Sequence, residues 1–430
     1  MRSSVKMFCL VGAFFLGFVP FVLADEFDDT RKIVSEVVKK LEPSLIEFRH
    51  DLHMFPELSN RESRTSQKIA EKLLKIGLDE VKTGIASTGI VAVLKGGKPG
   101  PTVAFRADMD ALPIQETRDM PYKSQNPGVM HACGHDVHTT IGIGVAETLA
   151  QIKDQIPGTV KFIFQPAEEG APDGEAGGAG EMIKQGALDN PRPDAIFGLH
   201  VESEGTAGKI SLLSGPAMAS EDGLKIVIIG KSAHGAKPHN GIDAIVVAAN
   251  VINALQMIRS RRTDPREAFV LTLGTIHGGA RANIIAERVE MVGTIRNLNE
   301  NIRREAPDLI RQTVEGVCTG LGATCTVEID PGYPVTYNNP ELVDATMPAL
   351  KRIFGTQGMF RILPHTGAED FSKYQQIIPG LFFFIGIANP EKKITSAIHT
   401  PDFDVDESCI AVNTRAMSLL LIDYLRNHKN

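Results

Sequence analysis

Two adjacent glutamates, Glu168 and Glu169, close the apolar run VKFIFQPAEEG and are the strongest chemical indication in the sequence. Neighbouring residues on a strand point to opposite sides, so two consecutive carboxylates past its end can do different work. One can hold a metal ion while the other transfers protons. This division of labour is the first hypothesis that the sequence supports.

A second segment, MHACGHDVHTT, places Cys133 and His135 two residues apart just before a predicted helix. A thiolate and an imidazole at that spacing can reach one metal ion from a loop, and a dication keeps the cysteine ionised. Taken alone, the segment is equally compatible with a buried free cysteine beside solvated histidines.

Two further histidines lie where an α/β sheet presents its ligands, at or near the ends of strands. His200 falls within the apolar segment AIFGLHV, and His399 precedes the last predicted helix in AIHTPDFD. A lone histidine at such a position is more often a core residue with a hydrogen-bond partner. Their joint occurrence with Cys133, His135 and the two glutamates favours a metal centre.

The elements that must position these residues are helices alternating with apolar runs from about residue 28 to 215. This order predicts a mixed or mostly parallel sheet covered by helices on both faces. Between about 216 and 331 the order becomes βαββαβ, the split βαβ sandwich, and the chain then returns to helical and buried segments. We therefore predict an α/β fold, with a catalytic domain of 25–215 and 332–430 and an inserted domain of 216–331.

The motifs together resemble those of the M20 metallopeptidase superfamily, specifically its amidohydrolase branch, over about residues 30–427. In chain order they are RADMDALPIQE, MHACGHDVHTT, QPAEEG, GLHV, KSAHGAKPHNGIDAI, GAEDFS and IHTPDFD. That branch includes hippurate hydrolases, N-acyl-amino-acid deacylases and plant hydrolases of auxin conjugates. The resemblance implies a metal-dependent amidohydrolase that cleaves the amide bond of N-acyl amino acids.

The resemblance also implies the parts of the site. It implies two divalent cations per subunit, zinc, manganese, cobalt or nickel, with five ligands: Cys133, His135, Glu169, His200 and His399. Glu168 is the implied general base for a metal-activated water. The inserted domain is an implied lid and dimerisation module, so a homodimer is expected.

Further residues are implied on the inserted domain and beside the metals. His234 is expected to stabilise the oxyanion, in the site of a partner subunit, and Asn283 and Arg296 to hold the substrate carboxylate. These lid residues are also compatible with plain surface or strand-edge roles. Asp108 stands where the superfamily keeps an acid that orients a ligand, and Arg106 replaces a histidine ligand of other branches.

Composition indicates the broad class and the compartment. The chain has 430 residues, 43% hydrophobic and 23% charged, which is typical of a soluble protein with more than one domain. Residues 1–24, with Arg2 and Lys6 ahead of an apolar stretch, predict a cleaved secretory signal peptide, a single membrane anchor being the alternative. The end LRNHKN has no ER-retention tetrapeptide, so we expect a secreted or periplasmic protein.

Net charge limits the partners. Loss of the two signal-peptide cations takes the formal net charge from −7 to −9, which disfavours nucleic acid and anionic membrane surfaces. A small-molecule substrate is the expected partner.

Three alternatives compete with the amidohydrolase interpretation. A dipeptidase or aminoacylase of the same superfamily would apply the same chemistry to another substrate. A thiol hydrolase would use Cys133 as nucleophile and His135 as base. A protein that binds small acids would use the fold without catalysis.

Overall fold

The computed structural model describes residues 19–428, and the side chains of residues 26–428. Most of the predicted signal peptide, residues 1–18, therefore lies outside the described residues. Within the described part of the chain, no helix is long and apolar enough to cross a membrane.

The helices of residues 19–428 are α1 (Val19–Met54), α2 (Ser63–Ile76), α3 (His135–Gln151), α4 (Gly178–Lys184), α5 (Ala244–Arg261), α6 (Glu300–Gly320), α7 (Pro340–Phe354), α8 (Phe371–Gln375) and α9 (Ser408–Asn427). The strands of the same residues are β1 (Glu80–Ile85), β2 (Gly89–Lys95), β3 (Lys98–Asp108), β4 (Pro157–Gln165), β5 (Ala195–Thr206), β6 (Ile210–Ser211), β7 (Gly215–Met218), β8 (Glu221–Ile229), β9 (Phe269–Gly278), β10 (Arg288–Asn297), β11 (Thr324–Tyr333), β12 (Thr336–Asn338) and β13 (Gly380–Ala388).

A mixed sheet forms the centre of the larger domain, in the order β1-β2-β4-β3-β5-β13-β6. Strands β4, β3, β5 and β13 are parallel to one another, whereas β1, β2 and β6 pair antiparallel towards the two edges. Strand β13, with the sequence GLFFFIGIA, is buried at every position because it lies inside a sheet whose two faces are covered.

Strand β4 shows how the two faces of this sheet are filled. Phe162 and Phe164 enter the core beneath α1, α3 and α9, while Ile163 enters the second core beneath α4 and α8. Successive side chains of a strand point to opposite faces, so a sheet covered on both sides requires an unbroken apolar run. Gly142 of α3 permits a close approach, since a Cβ there would lie 2.8 Å from Cε1 of Phe164.

The inserted domain is an antiparallel sheet in the order β11-β8-β10-β9, packed against α5 and α6. Strand β11 continues to Tyr333, two residues past the predicted boundary at 331. Alternate side chains of β8 are buried, as expected for a sheet with one covered face. The ribbon of β7 and β12 lies where the chain enters and leaves this domain. The predicted α/β fold, a mixed sheet with an inserted βαββαβ domain, is confirmed.

A buried ion network ties α1 to the start of α3 and to the segment before α9. Arg49 Nε lies 2.7 Å from Asp136 Oδ2, and Arg49 Nη1 lies 3.1 Å from Glu407 Oε1. His53 Nδ1 lies 2.8 Å from the same Asp136 oxygen. Burial raises the pKa of Asp136, but Arg49 and His53 outweigh it and hold that pKa well below its usual range. Because Asp136 follows His135, the network fixes the helix turn that carries a predicted ligand.

Substitution of Arg49 by methionine leaves the buried Asp136 carboxylate without its main counter-charge. Removing one partner of a buried ion pair costs about 3–5 kcal/mol, so we expect the free energy of unfolding in urea to fall by that amount. Arg266→Met is the control, because the Arg266–Asp264 pair is exposed and its loss should leave the urea midpoint unchanged. An Arg49→Met protein with the wild-type midpoint would contradict the proposed role of the network.

Candidate dinuclear metal site

The first two predicted ligands flank a left-handed glycine at the start of α3. Gly134 has φ 82°, a conformation that favours glycine, and a Cβ there would lie 2.6 Å from Cγ2 of Val201. The turn presents Cys133 from the loop and His135 from the first helical position, and both side chains are buried.

The other predicted ligands come from central strands or from the segments that follow them. The two glutamates follow β4, His200 lies in β5, and His399 lies between β13 and α9. Ala167, just before Glu168, has φ 53°, and His399 has φ 61°, although neither is glycine. Backbone strain of this kind is concentrated at functional sites.

The five predicted ligands converge on one small volume. Cys133 Sγ lies 3.3 Å from His200 Nε2 and 3.2 Å from His399 Nε2. Glu169 Oε1 lies 3.2 Å from His399 Nε2 and 4.0 Å from His135 Nε2. Donors that share one tetrahedral cation at about 2.0–2.3 Å are roughly 3.3–3.8 Å apart, so these separations suit metal ligation.

The ligand atoms form two overlapping groups. Those of Cys133, His135 and His200 lie within 4.8 Å of one another, and so do those of Cys133, Glu169 and His399. The sulfur of Cys133 belongs to both groups. These donors could therefore hold more than one cation.

Unpaired buried atoms show that the residues present fit cations. His135 Nε2 and Glu169 Oε1 are buried and have no hydrogen-bond partner among residues 26–428. A buried polar atom without a partner is costly, and ligation of a dication would satisfy both atoms.

Hydrogen bonds on the far side of each imidazole decide which nitrogen is free. His200 Nδ1 donates to the Val201 carbonyl over 2.7 Å, which leaves Nε2 to face Cys133. His138 is fully engaged, because Nδ1 donates to Asp108 over 2.6 Å and Nε2 accepts from the Val201 amide over 2.9 Å. Burial lowers the pKa of His138 to about 4, so this neutral ring has no nitrogen left for a metal.

The acid that orients His135 is Asp110, a residue absent from the sequence-based prediction. Asp110 Oδ1 accepts from His135 Nδ1 over 3.2 Å, and Oδ2 accepts from the Glu169 amide over 3.0 Å. Ser59 Oγ donates to the same Oδ2 over 2.8 Å. One buried carboxylate therefore fixes the positions of two ligands.

The predicted orienting acid, Asp108, has a different set of partners. It accepts from His138 and pairs with the buried guanidinium of Arg106, and its Oδ1 lies 3.9 Å from His135 Nε2. Asp110 follows Asp108 by two residues, and the repeat DMD within RADMDALP is the pattern from which it could have been identified.

Glu168, the predicted base, lies beside the donors in a buried and acidic environment. Its Oε2 is 3.9 Å from His135 Nε2, and its Oε1 accepts from the Asp370 amide over 3.4 Å. Burial raises the pKa of Glu168 well above its usual range, and the carboxylates of Glu369 and Glu169 raise it further. Such a carboxylate binds a proton readily, which suits a group that accepts a proton and then returns it.

The environment of Cys133 disfavours a thiol nucleophile. Burial and the adjacent glutamate pair raise the pKa of Cys133 well above its usual range. A nucleophilic cysteine needs a lowered pKa and a nearby base, and the imidazoles closest to this sulfur belong to His200 and His399 rather than to His135. The arrangement favours a thiolate that forms when a cation binds.

A cavity of about 520 Å³ opens over this centre. Its walls include Arg296 of β10 and Tyr333 of β11 from the inserted domain, while Phe384 and Ile398 supply apolar surface. Within the described chain, the Arg296 guanidinium has no ion pair or side-chain hydrogen bond. An unpaired cation therefore faces the same space as the predicted ligands.

His234 and Asn283 lie outside this cavity, on the surface of the inserted domain. Both residues are exposed, and their segments are adjacent, since the Gly235 amide donates to the Asn283 carbonyl over 2.8 Å. The single chain thus brings together the five ligands, Glu168 and Arg296, and leaves these two residues apart.

A larger cavity, of about 1140 Å³, is lined by residues 26–30 of α1, by α7 and by the last turns of α9. It contains none of the predicted ligands, so cavity size alone does not locate the site.

Comparison with known proteins identifies the family of the chain. Residues 104–423 match the family model described as peptidase family M20/M25/M40. The chain is 43% identical over 389 residues to thermostable carboxypeptidase 2 of Saccharolobus solfataricus, which covers 90% of this chain and 97% of that protein. It is 41% identical over 312 residues to an N-acyl-L-amino acid amidohydrolase of Geobacillus stearothermophilus, 73% of this chain and 82% of that protein.

A solved structure extends the comparison to the fold. A dinuclear metal-binding peptidase of the M20 family from Bacillus subtilis is 34% identical and superposes with a TM-score of 0.78, covering 91% of this chain and 100% of that chain. Fold and site together define a metal-dependent hydrolase of amide C–N bonds. The chain belongs to peptidase family M20/M25/M40, and the resemblance seen in the sequence motifs is confirmed.

Asp110→Ala removes the acceptor that orients His135 and holds the Glu169 amide. Loss of such an outer partner costs about 10–100-fold in metal affinity, and we expect that loss in calorimetric titrations of the metal-free protein with Zn²⁺. Ser59→Ala is the control, because the Ser59 hydroxyl contacts Asp110 but no ligand. Wild-type affinity in Asp110→Ala would show that Asp110 does not position the ligands.

Proposed function

We propose that the protein cleaves the amide bond of N-acyl amino acids, releasing a carboxylic acid and an amino acid. The observation that carries the proposal is one cavity lined by predicted metal ligands, by Glu168 and by the unpaired Arg296. The ligands and the glutamate suit amide hydrolysis, and a guanidinium suits the carboxylate of the amino acid. A volume of about 520 Å³ matches a small substrate.

Cys133, His135, Glu169, His200 and His399 would hold two divalent cations. When bound, such cations polarise an amide carbonyl and lower the pKa of a water molecule. Thiolate favours zinc, whereas imidazole and carboxylate also accept manganese, cobalt and nickel, so the donor set does not select one metal. The name of the 34% identical structure, a dinuclear metal-binding peptidase, supports a pair of ions.

Glu168 carries the proton in this proposal. Its carboxylate takes a proton from the attacking water as the new C–O bond forms, and returns it to the nitrogen as the C–N bond breaks. The Asp370 amide holds one carboxylate oxygen of Glu168, and the Tyr333 hydroxyl donates to the Glu168 carbonyl over 3.0 Å. The base is therefore positioned from both the large domain and the inserted domain.

A second candidate function is hydrolysis of the C-terminal peptide bond of short peptides. The relative named thermostable carboxypeptidase 2 supports this candidate. The two substrates differ only in the acyl group, so the metal ligands, Glu168 and Arg296 would have the same roles in both reactions.

We further propose a homodimer in which the surface of His234 and Asn283 reaches the cavity of the partner subunit. There the His234 imidazole would stabilise the negative oxygen that develops on the amide carbonyl, and Asn283 would assist Arg296. The exposure of both residues outside the cavity of their own chain supports this proposal.

We propose that the protein is exported, and this proposal rests only on the signal-peptide pattern of residues 1–24. Cleavage after Ala24 would release a secreted or periplasmic enzyme whose net negative charge disfavours nucleic acid and membrane partners.

Glu168→Gln keeps the size of the side chain and removes its ability to accept a proton. We expect elemental analysis to find metal content unchanged, while turnover of an N-acyl amino acid falls by about 10²–10⁴-fold. Glu36→Gln, on the exposed side of α1, is the control. Equal losses of metal and activity would identify Glu168 as a ligand rather than the base.

His234→Ala should lower turnover by about 10²–10³-fold and leave the metal content unchanged. Because His234 is proposed to act in the partner's site, exchange of subunits between His234→Ala and Glu168→Gln proteins should restore activity, since one site of each mixed dimer retains both residues. His239→Ala, also exposed on the inserted domain, is the control. Mixed proteins without recovered activity would contradict action across subunits.

A further inference from the structure

One wall of the cavity carries a polar pair, Glu202 and His365, that the proposed mechanism does not use. Glu202 follows His200 by two residues on β5, so both side chains project from the same face of the sheet, roughly 6–7 Å apart along the strand. The pair therefore lies next to a predicted metal ligand.

Glu202 is buried, and both members of the pair are fixed in place. Glu202 is 8% exposed, its Oε1 accepts from the Glu204 amide over 3.0 Å, and its Oε2 lies 2.9 Å from His365 Nε2. The His365 amide donates to the Ala217 carbonyl over 2.9 Å. The His365 ring packs on Phe384 with 4.9 Å between centroids. These contacts hold Glu202 and His365 in position without a bound substrate.

The hydrogen-bonding capacity of the pair is not used up. Although His365 Nε2 lies close to Glu202, it has no well-directed hydrogen-bond partner among residues 26–428. Glu202 has one directed donor, the Glu204 amide, for a carboxylate that can accept several. Buried polar groups of this kind favour a ligand that supplies a further partner.

The elements that line the cavity indicate which part of a substrate would contact Glu202 and His365. Arg296 belongs to the inserted domain and Glu202 to the central sheet, and no ion pair joins them. If Arg296 holds the carboxylate of the amino acid and the amide lies at the metal ligands, the acyl group remains to face Glu202. Met218 and Phe384, beside it in the same cavity, offer apolar contact for methylene groups.

We propose that Glu202 and His365 select acyl groups that carry a hydrogen-bond donor, an ammonium or an amide N–H, over plain alkanoyl groups. This inference rests on the proposed amidohydrolase function and defines its substrate class as N-aminoacyl amino acids and short peptides. A plain alkanoyl group would shield the Glu202 carboxylate from water without supplying a donor, and sites built for hydrogen bonding reject ligands that lack the bonding group.

The test uses two substrates of matched shape, N-(γ-aminobutyryl)-leucine and N-pentanoyl-leucine, which differ by an ammonium group in place of a methyl group. The metal-loaded full chain should favour the first by about 10-fold or more in kcat/KM, because hydrogen bonds to charged groups are the stronger ones. Glu202→Gln should reduce the ratio of the two kcat/KM values by about 10–100-fold. General damage to the enzyme would lower both values and leave the ratio unchanged.

Glu204→Gln is the matched control, since Glu204 is exposed on the same strand and its side chain does not line the cavity. It should keep the wild-type ratio. His365→Asn alters the same wall without touching the strand that carries His200, and it decides the question if Glu202→Gln fails to fold.

A ratio unchanged in both Glu202→Gln and His365→Asn would overturn the selectivity proposal while leaving the proposed function intact. Turnover of neither substrate by wild-type protein loaded with zinc, manganese, cobalt or nickel would overturn the proposed function, and this inference with it.

Discussion

Negative charge concentrated in a buried volume is the constraint on which the site depends. The carboxylate of Glu169 lies beside the Cys133 sulfur and His399, Glu168 lies beside His135, and Glu369 and Asp370 lie beside Glu168. Burial raises the pKa of Asp370 to about 7. Arg106 is in contact with three of the surrounding acids, but one guanidinium is a small share of the positive charge required. A pair of dications would supply the remaining positive charge. It would also give partners to His135 Nε2 and Glu169 Oε1, which are buried and have none among the described residues.

The fold holds these groups in place against their mutual repulsion. The parallel strands β4 and β5 position the two glutamates and His200, and α3, which begins at His135, packs closely on β4 through Gly142. Arg49 anchors the first turn of α3, and Asp110 joins His135 to the Glu169 backbone. Stability and ligand geometry therefore rest on the same buried polar contacts.

Much of this organisation could be predicted from the sequence, because its causes are local. The βαββαβ order follows from apolar periodicity, and the donor residues cluster in short motifs at strand ends. The short elements β1, β6, β7, β12, α4 and α8 could not be predicted, since too few residues define a period.

Asp110 and the Glu202–His365 pair were not predictable for a different reason, because their partners are decided by tertiary contacts between distant segments. Asp108 and Asp110 are equivalent by residue type, and only the folded chain shows which one faces His135. The roles proposed for His234 and Asn283 require a second chain, so the fold of one chain does not test them.

The hydrogen bond from the Tyr333 hydroxyl to the Glu168 backbone joins the inserted domain to the residue proposed to move the proton. Tyr333 ends β11, next to the β7–β12 ribbon through which the polypeptide enters and leaves that domain. Any swing of the inserted domain must either carry this contact along or break it. The orientation of the inserted domain and the position of the Glu168 backbone are therefore mechanically linked.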